Sequence, residues 1–278
     1  MEETNAPSIQ LAPQHDPGLT INNPVMVSAG CYGLGSEYLG LVDLEGLGAI
    51  VVGPVTMRAR HGATHPRSVP FAGGVLLHTG LANPGVPATL KRKSRTWTKS
   101  PVPVVLHIAA TTPQETSAAC ERVEAVESIA AIELGLGFYT SPEEALSLVS
   151  AAAESYGNGP LLVRLPLETS TQLAQPATAG GAHALTIGAP PRGTVRYGTQ
   201  WITGRLYGPF VLPLALRTLR AVTNLVQVPL IGCGGVYDHS GARMLLRAGA
   251  STVQIDSALW KDPTIPARIA KAIVHTDS

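Results

Sequence analysis

The residues best suited to hold an anion lie near the end of the chain. The apolar run "VPLIGC" at 228–233 leads into Gly234 and Gly235, and "TVQID" at 252–256 leads into Ser257. Glycines let the backbone approach a ligand closely, and unpaired N–H groups at a helix start point at negative charge. Phosphate is the guest such a turn suits. The same glycine pair also serves a plain tight turn from strand to helix, so both readings stand. Three other side chains can move charge or protons: Arg164 in "PLLVRL", His107 in "PVVLHI" and Tyr139 in "IELGLGFYT". Each has a structural counterpart. Arg164 inside an apolar run can pair with Glu133 or Asp256. A lone histidine can be a satisfied core group, although it titrates near neutrality. Tyr139 can belong to a repacked loop. The three cysteines, Cys31, Cys120 and Cys233, lack metal-ligand spacing and read as reduced thiols, with no metal expected. Neither Cys31 nor Cys233 is expected as a nucleophile.

The elements that must position these residues are short apolar runs: 24–29, 48–53, 103–108, 129–134, 160–165, 182–187, 228–233 and 252–256. They are continuously apolar, as strands buried on both faces are. Helix signals lie between them. Thr112 to Glu115 and Ser141 to Glu144 each spell a capping box with proline at the first helical position. "SGARMLLRAG" places Ala242, Leu245, Leu246 and Ala248 on one face and stops at Gly249. Eight strands alternating with helices predict an α/β fold, a (β/α)8 TIM barrel in a single domain. Residues 1–19 are expected as a flexible N-terminal tail and 20–278 as the barrel.

Two connections exceed simple turns, one from Pro54 to Ala82 and one from Gly188 to Gly208. Both follow strands and so belong to the C-terminal face, where barrel enzymes keep their sites. The second holds Arg192, Arg196, Arg205, Tyr197, Trp201 and Tyr207 between glycines. That composition suits a mobile cover over an anionic or planar ligand. The alternative is a solvated loop anchored by Trp201.

Bulk composition narrows the function classes. Twenty basic against nineteen acidic residues leave a net charge of +1, so no electrostatic pull toward nucleic acid or an anionic membrane is expected. No apolar run reaches membrane-spanning length, and the first twenty residues lack a signal-peptide pattern. A soluble, cytoplasmic protein is expected.

The segments "INNPVMVSAGCYGLGSEY", "LGAIVVGPVT", "GLANPG" at 80–85, "GRLYGPFVLPLALR" at 204–217 and "IGCGGV" with "ARMLLRAGASTVQIDSALWKDP" occur in an order and spacing that resemble the dihydroorotate dehydrogenase family, over residues about 20–265. The resemblance is to its soluble branch. It implies an FMN-binding barrel that oxidises dihydroorotate in pyrimidine biosynthesis. It further implies a homodimer and, in part of that branch, an iron–sulfur electron-transfer subunit. The positions it assigns to FMN are Ser28, Ala29 and Gly30 under the ring, Arg164 in place of a lysine at the ring edge, and Gly208, Gly234, Gly235 and Ser257 at the phosphate.

Elsewhere the chain departs from the family pattern. Gly53 stands for a lysine. The Asn-x-Ser-Cys-Pro-Asn loop, which carries the base, is replaced by "IELGLGFYT", with Gly135 for its first asparagine. Leu77, His107 and Ala189 stand for further asparagines, and Asp256-Ser257 for a glycine-threonine pair. Orotate buried without matching amides leaves polar groups unpaired. The expectation is an FMN-dependent oxidoreductase with altered or lost dihydroorotate specificity, acting on a small planar or anionic substrate. Arg164, His107 and Tyr139 are the candidate catalytic groups. Two alternatives remain: a phosphate-binding barrel isomerase or lyase, and a non-catalytic homologue serving as a binding subunit.

Overall fold

The computed structural model describes residues 8–38 and 40–274. In chain order the strands are β1 (Ile9–Gln10), β2 (Thr20–Ile21), β3 (Val25–Val27), β4 (Ala49–Val55), β5 (Ser68–Phe71), β6 (Gly74–Leu77), β7 (Val104–Ala109), β8 (Ala131–Gly135), β9 (Leu161–Pro166), β10 (Ala184–Ala189), β11 (Arg192–Tyr197), β12 (Gln200–Tyr207), β13 (Leu230–Cys233) and β14 (Thr252–Ile255). The helices are α1 (Val86–Trp97), α2 (Pro113–Glu124), α3 (Pro142–Ser155), α4 (Ser170–Ala179), α5 (Leu212–Val222), α6 (His239–Arg247), α7 (Ala258–Lys261) and α8 (Ile265–Val274). A 3-10 turn over Pro209–Val211 precedes α5.

Strands β3, β4, β7, β8, β9, β10, β13 and β14 close into one parallel barrel. Each coincides with one of the eight apolar runs, because both faces of these strands are buried and neither needs polar residues. The fold is therefore the single-domain (β/α)8 TIM barrel expected. The helix grammar also holds. Ser141 and Glu144 form a reciprocal capping box at α3. Thr112 caps α2 by accepting from the Glu115 N–H, but the Glu115 carboxylate turns instead to Thr111 and Arg58. At the end of α6, Gly249 adopts a φ of +109°, a conformation that disfavours any side chain.

Three segments differ from expectation. The described part of the supposed flexible tail is a built hairpin. β1 pairs with β2, the Leu11 N–H donates to Leu19 O at 2.9 Å, and Leu11, Leu19 and Ile21 are fully buried. They join Val51, Val105, Leu162 and Ile231 in the apolar cluster inside the barrel. Burial of three large aliphatic side chains outweighs the polar, proline-rich character of the segment. Residues 1–7 lie outside the described residues.

The two long connections pair with each other. Strands β5, β6, β11 and β12 form an antiparallel sheet in the order β11-β12-β6-β5. The segment 188–208 is thus a β-hairpin with its turn at Gly198, rather than an irregular mobile cover. Trp201 does not anchor it, being 70% exposed.

Candidate functional site

A polar layer crosses the otherwise apolar barrel interior. Neighbouring strands bring His107 opposite Glu133, Gly135 beside Arg164, and Arg164 opposite Thr186. Glu133 lies at its centre. One of its oxygens accepts from Thr186 Oγ1 at 2.7 Å and Gln254 Nε2 at 2.7 Å. The other accepts from His107 Nδ1 at 2.6 Å and faces Arg164 at 3.7 Å. The Arg164 guanidinium donates to Ser28 Oγ (2.8 Å), Gln254 Oε1 (3.1 Å), Gly188 O (3.0 Å) and Cys233 Sγ (3.2 Å). Every contact is charge-assisted or saturates a buried group, which is how a charge survives inside a protein.

The electrostatics follow from this packing. Burial favours the neutral acid, but the His107 hydrogen bond, the Arg164 charge and the Gln254 amide outweigh it and hold Glu133 at about 2. Burial likewise works against the Arg164 charge, and the groups around it, Cys233 and Glu133 foremost, raise its pKa so that it stays a cation. Burial pushes the Cys233 thiol up to about 11, and the Cys31 thiol rises well above its ordinary value for the same reason. Neither sulfur is an available nucleophile.

A prediction follows for acid stability. Glu133 falls from 4.5 in an unfolded chain to about 2 in the fold. Its ionisation therefore contributes stability that is fully present above pH 4.5 and is lost as pH falls through 2. The contribution is about 3 kcal/mol. Urea midpoints measured against pH for the wild type and Glu133→Gln should differ most above pH 4.5 and converge toward pH 2.

Above this layer, on the C-terminal face, lies a cavity of about 650 Å3. Its floor is small, with Ala29, Gly30 and Gly53; His107, Arg164, Arg205 and Tyr207 line its walls, and Arg67 lines it as well. Leu77, His107, Gly135 and Ala189, the four positions matched to family asparagines, all line this one cavity. His107 and Gly135 are sterically complementary. A side chain at Gly135 would place its Cβ 2.4 Å from His107 Nε2, so the imidazole fills space that residue 135 leaves free. With Nδ1 held by an ionised carboxylate, that nitrogen carries the proton and Nε2 is left as the acceptor at the cavity. Gly53 has a φ of +109°, and its Cβ would lie 2.7 Å from His107 O, so no lysine can stand there on this backbone. Asn83 is an amide in the lining, but its side chain is spent on the loop. It accepts from the Thr56 and Gly85 N–H groups and donates to Leu81 O and Thr56 Oγ1.

The expected phosphate end is assembled but closed. Gly208, Gly234, Gly235 and Ser257 come together where the loops after β13 and β14 meet the start of α5. A Cβ on Gly235 would lie 2.4 Å from Leu212 N and 3.0 Å from Gly208 O. None of the four lines the cavity. The Asp256 carboxylate sits among them, accepting from Ser257 N at 2.6 Å and Ser257 Oγ at 3.1 Å. The ring end of the cavity, with Ala29 and Gly30 as floor, therefore has room for a flavin ring. The phosphate end does not fit FMN as it stands, because a buried protein carboxylate already takes the Ser257 amide and hydroxyl.

Of the sequence-predicted residues, Ser28, Arg164 and His107 meet in one network, and Ala29 and Gly30 lie at the cavity. Arg164 takes the pairing with Glu133 and still reaches the lining. Tyr139 is not brought to the cavity, although Leu136 and Gly137 of its loop line it. It is 82% exposed, packs on Phe138 with ring centroids 4.8 Å apart and lies under Arg192, away from the cavity. Its loop has repacked at the surface. Thr186, Gln254 and the cavity residue Arg67 were not singled out, while Glu133 was named only as a partner for Arg164 and Arg205 only as part of the long second connection. A signal was available for Gln254, a long polar side chain inside the apolar run "TVQI".

Among the described residues no helix is long and apolar enough to cross a membrane, and no group of three potential ligands gathers to hold a metal. The family model for dihydroorotate dehydrogenase matches residues 13–276. The chain is similar to proteins named dihydroorotate dehydrogenase B (NAD(+)), catalytic subunit. That of Enterococcus faecalis is 32% identical, covering 90% of this chain and 86% of the relative. That of Cutibacterium acnes is 33% identical over 89% and 87%, and that of Geobacter sulfurreducens 31% over 91% and 88%. Matched over nearly its whole length, this chain belongs to the dihydroorotate dehydrogenase family of FMN-type oxidoreductases acting on CH–CH bonds.

Proposed function

We propose that this protein is a dihydroorotate dehydrogenase-like oxidoreductase whose substrate is a small, planar, anionic molecule other than dihydroorotate. The observation that carries the reading is the buried Glu133–His107 pair, aimed at a cavity from which the family's substrate amides are gone. Oxidation of a CH–CH bond to C=C releases a proton and a hydride, and a flavin ring held in the cavity would supply the acceptor for the hydride. The proton side falls to His107. Glu133 fixes its tautomer and stabilises the imidazolium formed when Nε2 takes the proton, as a carboxylate does for a paired histidine elsewhere. Arg205 and Arg67 at the lining supply positive charge for a substrate anion. The relatives' name, catalytic subunit, supports an electron-transfer partner for this chain, and the family supports a homodimer.

The test is an anaerobic screen of cyclic acids against the purified protein supplied with riboflavin or FMN, read as loss of flavin absorbance. A substrate that reduces the flavin should do so 10²–10⁴-fold more slowly with His107→Asn, roughly the worth of a positioned acid–base group. Flavin binding by that variant should stay within a few-fold of wild type. An unchanged rate in the variant would remove His107 from the chemistry.

A further inference from the structure

Barrels of this architecture commonly hold phosphate between the loops after their seventh and eighth strands. In this chain those loops follow β13 and β14, and their shape suits the task. Gly234 and Gly235 take φ values of +119° and +70°, which bring backbone N–H groups to the surface of the turn. The donors of the neighbouring Ser257 are nevertheless spoken for. Asp256, 1% exposed at the end of β14, turns its carboxylate back onto the Ser257 N–H (2.6 Å) and the Ser257 hydroxyl (3.1 Å). Ser257 Oγ is further tied to Tyr237 OH at 3.1 Å, and Tyr207 closes edge-on over Trp260 at 4.9 Å. The cavity stops short of this cluster, which is absent from its lining while Tyr207 stands at its edge.

We propose that Asp256 is a built-in substitute for a ligand phosphate, so that the cavity accepts a flavin ring without its phosphate and discriminates against the phosphorylated form. The proposal rests on the oxidoreductase reading above for the identity of the ring. Its physical basis is separate. A carboxylate and a phosphate are both anions that seek the same N–H groups, and two of them cannot share one set in a buried site. Arg164 cannot relieve the conflict, because its guanidinium is already committed to Ser28, Gln254, Gly188 and Cys233. Glycine at position 256 would free the Ser257 donors and remove the competing carboxylate.

The test is a fluorescence titration of FMN and of riboflavin with wild type, Asp256→Gly and Asp256→Ser, each checked for native melting. The wild type should bind riboflavin at least as tightly as FMN. In Asp256→Gly the preference should swing toward FMN by at least tenfold, and Asp256→Ser gives the same reading if the glycine variant does not fold. Wild type that prefers FMN tenfold or more, or folded variants whose preference does not move, would overturn the proposal. Failure of the underlying reading looks different. If wild type takes neither flavin but Asp256→Gly takes FMN, the oxidoreductase reading falls and the role of Asp256 stands. If the folded variants also take neither, both fall.

Discussion

Arg164→Ala should cost about 3–5 kcal/mol of folding stability, the range for breaking a buried ion pair from one side. The guanidinium makes four hydrogen bonds and faces Glu133 at 3.7 Å. Its removal leaves the Glu133 carboxylate with hydrogen-bond donors but no full positive charge beside it. It also strips a donor from Gly188 O and opens a void between β9, β10 and β13. Arg164→Lys restores charge but not the planar fork that spans Ser28, Gln254 and Gly188, so it should recover only part of the loss. Chemical denaturation of both variants measures the effect. A loss below about 1 kcal/mol for the alanine variant would mean that the network is not the keystone of the barrel interior.

The second large effect concerns orotate. Its carboxylate and ring amides need donors and acceptors in matching places. The four cavity positions matched to family asparagines here carry Leu77, His107, Gly135 and Ala189, and the Asn83 amide is consumed by its own loop. Each unpaired buried group costs about 1–3 kcal/mol. Two such losses lower affinity by roughly 10²–10⁴-fold. Orotate at millimolar concentration should therefore leave the melting temperature unchanged, and calorimetry should show no saturable heat. A micromolar dissociation constant would show that other groups, Arg205 and Arg67 first among them, have taken over recognition.

Much of the barrel was legible because buried parallel strands write themselves as continuous apolar runs. The segments that were not legible fail for physical reasons. Leu11, Leu19 and Ile21 are too widely spaced among polar residues and prolines to signal a hairpin, yet tertiary burial under the barrel decides their conformation. The hairpin β11–β12 did carry its own signal, since Thr194, Val195, Ile202 and Thr203 are β-branched around Gly198. Its arginines and glycines drew the reading toward a mobile cover instead.

At the site, positions could be transferred but not their partners. Arg164 and His107 were found as lone polar residues in apolar strands. That both converge on Glu133 depends on the stagger between β7, β8 and β9, which spacing along the chain does not encode. Asp256 was recognised as unwelcome beside a phosphate. Only its geometry shows that it accepts from the Ser257 N–H and hydroxyl.

We propose a family barrel that keeps its ring site but no longer acts on dihydroorotate. The anaerobic visible spectrum of the flavin-supplied protein, before and after addition of dihydroorotate, tests it most directly. The account predicts a flavin band shifted by binding in the cavity and left fully oxidised by dihydroorotate. Bleaching of the bound flavin by dihydroorotate would contradict it, as would a spectrum identical to that of free flavin.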